Sequence, residues 1–190
     1  MKAWREIVKI VAALSLLLSL APALPAFASR DPLAPAEIAQ LRDAAQDTNQ
    51  RLHLFVSFIH ARAISLDALR SDPRFSSDRD ARIHNLLEEI TALVDEMDDN
   101  LDQFAERKAD LRKPLKEVVD LDSELQSRLQ SLKSGDKAMQ PASDIEGRGG
   151  PPSYAFALNS AIDSVHDSLD HARRLMEKAN PQAEAATPKK

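Results

Sequence analysis

Five histidines give this chain its widest chemical repertoire, and their spacing decides how much of it is in reach. His53 and His60 are seven residues apart. On a helix that puts them on one face but about 10.5 Å apart along the axis, too far to share one ion. His166 follows Asp163 by three residues and precedes Asp170 by four, so one helical face can present Asp163, His166 and Asp170 together. This is the one local set that suggests a metal. A di-metal centre in a helical bundle draws on Glu-x-x-His pairs and further inward-facing Glu residues, and no Glu-x-x-His occurs. His166, Asp170 and His171 also fall off or beside the apolar stripe of their segment. An ordinary solvated face is the stronger reading, and no metal or other cofactor is expected. A haem held by a Met and a His would draw on Met97, Met139 or Met176; nothing marks one of them as a ligand.

Catalytic patterns are missing. The chain has no cysteine, no serine in a G-x-S-x-G context and no Gly-rich phosphate loop, which removes the common nucleophile and phosphate-cradle arrangements. No catalytic residue is assigned, and the expectation is a protein that is not an enzyme.

Charge is the next source of chemistry. Asp95, Asp98, Asp99 and Asp102, extended by Glu88, Glu89, Glu96 and Glu106, form an acidic strip. Such a strip suits a cation or a basic partner, although charge runs are more often solvated faces. A calcium site needs six or more converging oxygens, which one straight helix cannot supply. Directly downstream, Arg107, Lys108, Arg112, Lys113 and Lys116 form a basic patch around Pro114. The two groups together define the expected interaction surface: Asp95, Asp98, Asp99 and Asp102 against Arg107, Arg112, Lys113 and Lys116. Head-to-tail self-association or docking on an acidic partner would use it. The competing reading is solvated charge and weak intrahelical pairing. Arg62 stands where an apolar residue is expected. In an antiparallel hairpin it meets the level of Glu88 and Glu89. A guanidinium reaching solvent is favoured over a buried pair.

The elements that carry these residues begin after a leader. Lys2, Arg5 and Lys9 precede an apolar run from Ile10 to Leu20, Pro22 and Pro25 break it, and Ala26-Phe27-Ala28 supplies small residues around a cleavage point. Residues 1–28 therefore read as a secretory signal peptide, cleaved after Ala28. The run is about 11 residues, short of the roughly 20 a spanning helix needs, so no stable membrane anchor is expected. The leader holds three of the 25 Lys and Arg and one of the 30 Asp and Glu. The remainder carries 22 against 29, a net charge of −7. An acidic exported chain without a basic stripe is a poor nucleic-acid binder.

Beyond the leader the composition favours helices: Gly and aromatics are scarce, Ala and Leu abundant. The 3–4 spacing of Ile38, Leu41, Ala45, Thr48, Leu52, Phe55, Ile59, Arg62, Leu66 and Leu69 predicts one helix over 35–70. Ser71-Asp72-Pro73 breaks it. A second helix is expected from Ser77, with the stripe Ile83, Leu87, Ile90, Val94, Met97, Leu101, Phe104, Lys108, Leu111, Leu115 and Val118. A phase slip follows, then Leu121, Leu125, Leu129 and Leu132, and a stop at Ser134-Gly135. All four glycines lie between 135 and 150, so 134–152 reads as a flexible loop. The last helix spans 153–179 with the stripe Leu158, Ile162, Val165, Leu169, Ala172, Met176 and Ala179. Residues 181–190 read as a disordered tail.

The fold class is all-α: an antiparallel bundle, or coiled-coil-like hairpin, of three long helices in one domain over 29–180. Pro114 either kinks the second helix or breaks it into two, making four. The unbroken stripe and the lack of a preceding Gly or Asn favour a kink. The wide apolar face, with Val56, Phe58, Ile64, Leu86 and Leu93 beside the stripe, favours a compact bundle.

The functional expectation is an exported, non-enzymatic bundle, periplasmic or secreted, that binds another envelope protein or itself. The alternatives are a periplasmic metal or small-ligand carrier and a chaperone-like holder of unfolded clients.

Overall fold

The computed structural model describes residues 31–71, 78–139 and 152–179, and every regular element among them is a helix. The leader, the expected start at Ser77, most of the 134–152 loop and the 181–190 tail lie outside the described residues. The helices are α1 (Pro35–Asp43), α2 (Thr48–Ser71), α3 (Arg79–Glu106), α4 (Arg112–Met139) and α5 (Ala155–Ala179).

The four long helices form a ring of neighbours. α2 packs on α3 and α4, and α5 packs on the same two. Each stripe turns into that ring. Leu52, Phe55, Ile59, Leu87, Ile90, Val94, Met97, Leu101, Leu115, Val118, Leu129 and Val165 are completely buried. α2 is long and apolar enough to cross a membrane by length and composition; here Leu52, Phe55, Phe58, Ile59, Ala63 and Leu66 are buried in the core, while Ile64 is exposed. α1 lies mainly against α2.

The expected first helix is two. Ala44–Asp47 interrupt it, and Asp47 caps α2 by accepting the Gln50 backbone N–H at 3.0 Å. An Asp at that place satisfies an otherwise orphan donor. Thus Ala45, assigned to the stripe from its spacing, is exposed, while Ala44 is buried. The guanidinium of Arg51 holds the break: it donates to Leu41 O at the end of α1 (2.8 Å) and to Asn100 Oδ1 of α3 (2.7 Å).

Pro114 does not kink a long helix. α3 ends at Glu106, five residues separate it from α4, and Pro114 is the third residue of α4. Its missing N–H falls in a first turn that has no intrahelical acceptor anyway. The stop is made by Lys108, which takes φ 57° itself. The Lys108 N–H donates to Ala105 O at 2.9 Å and the Ala109 N–H to Phe104 O at 3.0 Å, closing the last carbonyls of α3. A glycine usually occupies that left-handed position, and its absence is one of the two sequence features that argue for a kink against the broken alternative.

The Ser134-Gly135 stop is also corrected. α4 continues through Gly135 to Met139. One helical glycine costs about 1 kcal/mol and does not end a packed helix. Here it gives room: a Cβ at Gly135 would sit 3.3 Å from the Arg70 guanidinium of α2.

Candidate functional site

Two of the buried polar residues, Asp122 and Ser168, meet on the seam where α3, α4 and α5 come together. Asp122 of α4 and Ser168 of α5 are completely buried. Ser168 Oγ lies 2.8 Å from Asp122 Oδ2 and 2.9 Å from Asp98 Oδ1 of α3. The other oxygen of Asp98 is 3.7 Å from His171 Nδ1, and His171 Nε2 is 2.9 Å from Asp102 Oδ1. One turn earlier Ser164 Oγ donates to Asp95 Oδ1 at 2.8 Å. The set forms a chain from the interior to the surface: Asp122, Ser168, Asp98, His171, Asp102. Asp98 and His171 side chains are about one-quarter exposed, and Asp102 is mostly exposed.

The heptad spacing puts Asp122 there. From Leu111 the steps of four and three run through Leu115, Val118, Asp122, Leu125, Leu129 and Leu132. The phase slip read after Val118 is the stripe continuing in register with an Asp in a core position. Leu121 is buried beside it. Burial pushes the Asp122 carboxyl up to about 7; the Ser168 hydroxyl opposes the shift and the charge of Asp98 adds to it. Burial also raises Asp98, against hydrogen bonds from Ser168 and His171. Asp122 Oδ1 is buried without a hydrogen-bond partner. Such an arrangement can hold a proton inside the bundle.

The acidic strip thus lies along the α3–α5 contact: Asp95, Asp98 and Asp102 each meet a side chain of α5. Asp98 is partly buried, whereas Asp95, Asp99 and Asp102 are exposed. Of the basic residues, Arg107, Lys113 and Lys116 are exposed around the α3–α4 turn. Arg112 is exposed but bound in fork geometry to Asp110, with contacts of 2.9 and 2.6 Å, and that pairing holds the Asp110 carboxyl down to about 2. Beside this turn, Asp47, Asn49, Gln50, His53, Lys113, Pro114 and Glu117 line an open depression of about 380 Å³.

The metal-type set does not converge. Asp163 and His166 are exposed and Asp170 is about half exposed. His166 Nε2 is 3.8 Å from Asp170, while its Nδ1 faces Gln126 at 3.2 Å. Among the described residues no group of three His, Cys, Asp or Glu side chains is placed to hold a metal ion.

Arg62 departs from expectation. Its side chain is 14% exposed and sits between Glu37 of α1 and Glu89 of α3, donating also to Pro32 O at 2.9 Å. The expected solvent-reaching guanidinium is instead an internal tie, because α1 folds back over it. The Arg62 bond holds Glu37 below its ordinary carboxylate range. Glu89 was legible from hairpin arithmetic; Glu37 was not, since one continuous first helix would carry it far from Arg62.

Comparison with family models, with curated proteins and with solved structures finds no match for this chain.

Proposed function

We propose that this chain is an exported, non-enzymatic helical bundle of the cell envelope, periplasmic or secreted, that works by binding an acidic partner protein or a second copy of itself. The supporting observation is the distribution of charge over the bundle. The α3–α5 register sets Asp98 beside Ser168 and Asp102 beside His171. That register carries the last turns of α5 to the same end as the α3–α4 turn. Exposed Arg173, Arg174 and Lys178 therefore join exposed Arg107, Lys113 and Lys116 there, interspersed with exposed Glu106, Asp110 and Glu177, on a chain whose overall charge is negative. A cluster of exposed cations at one end steers association and sets orientation.

The test is crosslinking in intact cells followed by mass spectrometry, comparing the natural protein with a Lys113→Glu, Lys116→Glu, Arg174→Glu variant. Crosslinks should involve residues 107–116 and 173–178, weaken with salt, and fall at least tenfold in the variant. Crosslinks that survive all three reversals would remove this surface from the reading. N-terminal sequencing of the mature protein should begin at Ser29.

A further inference from the structure

The seam at Ser168 is one proton short if both carboxylates are ionised. Ser168 Oγ is within hydrogen-bond distance of Asp98 and of Asp122, at 2.9 and 2.8 Å. A serine hydroxyl carries one hydrogen and can donate to only one of them. The second approach would then set lone pair against lone pair, in an interior where such an uncompensated contact is most costly. A proton on one carboxyl resolves this, because Ser168 Oγ can accept as well as donate. Asp122 is the carboxyl that takes it. Asp122 is wholly buried with Oδ1 unpartnered, whereas Asp98 reaches the seam's edge and faces His171.

We propose that Asp122 is a proton-operated latch: protonated, it completes a chain in which Asp122 donates to Ser168 and Ser168 donates to Asp98, tying α4 to α5 and α3; deprotonated, it breaks that chain and loosens α4 in the bundle. The surrounding groups allow this. From α3, Asp98 faces the latch, with Asp95 and Asp102 flanking it toward α5. From α5 the nearby titratable groups are His171, engaged with Asp98 and Asp102, and His166, beside Gln126 and Asp170. From α2, His53 and His60 meet Glu117 and Glu124 on the other flank of α4. The ionised neighbour that acts on Asp122 is another carboxylate, Asp98, which opposes loss of the proton.

The sign follows from linkage. The Asp122 carboxyl is raised from 3.8 in the unfolded chain to about 7 in the fold, so the folded state binds the extra proton between those values. Its stabilising effect is complete below the unfolded value and is lost as pH rises through the folded one, at up to about tenfold in the folding constant per pH unit.

The experiment compares the full mature chain with Asp122→Asn at pH 5.5 and pH 8, by urea unfolding and by hydrogen exchange corrected for intrinsic rate. In the natural protein the folding constant should fall at least tenfold toward pH 8, and residues 112–135 should lose protection more than α2 does. Asp122→Asn should keep α4 protected at pH 8, since its amide donates to Ser168 and does not titrate. Infrared spectra at pH 6 should show a protonated carboxyl band that this variant lacks. If Asp122→Asn does not fold, Asp98→Asn serves, because its amide can donate to Ser168 and lift the need for the proton, flattening the pH response. The proposal is overturned if the natural protein protects α4 equally at both pH values, or if the variant that folds keeps the natural pH dependence.

Discussion

Arg62 and Asp122 both stand at positions where the 3–4 pattern calls for an apolar side chain, and the fold treats them in opposite ways. Arg62 is surrounded by complementary groups: two carboxylates and a backbone carbonyl. Removing it leaves Glu37 and Glu89 facing each other with little solvent to screen them. Arg62→Ala should cost about 3 kcal/mol, the scale of breaking a largely buried ion pair, as measured by urea unfolding at pH 7. A loss below about 0.5 kcal/mol would mean that the tie behaves as an exposed pair. Asp122 has a hydroxyl and another carboxylate for company, so it is accommodated by keeping a proton rather than by gaining a cation. Arg62 was visible in the sequence as an interruption of a stripe; Asp122 was not, because the stripe reads as slipping in phase after Val118 and resuming at Leu121. Of their partners Glu89 was legible, but Glu37 and Ser168 were not, because they come close only through packing.

At the scale of elements, the sequence reads through the first turn, Ala44–Asp47, as continuous helix and leaves the second, Arg107–Leu111, open between a kink and a break, and neither turn contains a glycine to mark it. Lys108 adopts the left-handed conformation that favours glycine, at a cost for an L side chain of about 1–2 kcal/mol. Lys108→Gly should therefore raise stability by about 0.5–1 kcal/mol, less than the full strain because glycine also gains freedom in the unfolded chain. A thermal melt and urea titration would check it. If the variant is destabilised, Lys108 is held by its own contacts rather than strained. Conversely, Ser134-Gly135 look like a stop and are not one, because Leu125, Leu129 and Leu132 already commit that segment to the core. Local punctuation is a preference of a kcal/mol or so, and tertiary burial of several leucines outweighs it.

At the scale of the molecule, the order of the helices around the ring is the feature furthest from expectation. Consecutive helices were expected to be neighbours, the simplest up-down packing. α2–α3 and α4–α5 obey this, but α3 and α4 lie across the diagonal, since each packs instead on α2 and α5. Side chains give the consequent directions. His53 meets Glu117 and His60 meets Glu124, so α2 and α4 run parallel, and Asp95–Ser164 with Asp98–Ser168 make α3 and α5 parallel too. Five linking residues reach this far: at about 3.3 Å each they span roughly 16 Å, and a bundle with sides of 8–10 Å has a diagonal of about 11–14 Å. The chain has no native cysteine, which makes the topology easy to check. A His53→Cys, Glu117→Cys pair should join through a short bis-maleimide with the fold intact, whereas a meander placing α4 beside α3 and away from α2 predicts no such crosslink. The sequence alone determined the helical class and most of the buried stripes, because the 3–4 period of apolar residues reports directly which face of a helix leaves water; it missed buried Leu33, Ala44, Ala63, Tyr154, Ala157 and Ala161. Only the tertiary structure decided where helices stop, which are neighbours and which polar groups share the interior. Those outcomes depend on side chains such as Glu37 and Arg62, or Asp122 and Ser168, whose favourable or costly encounters exist only once the helices are packed.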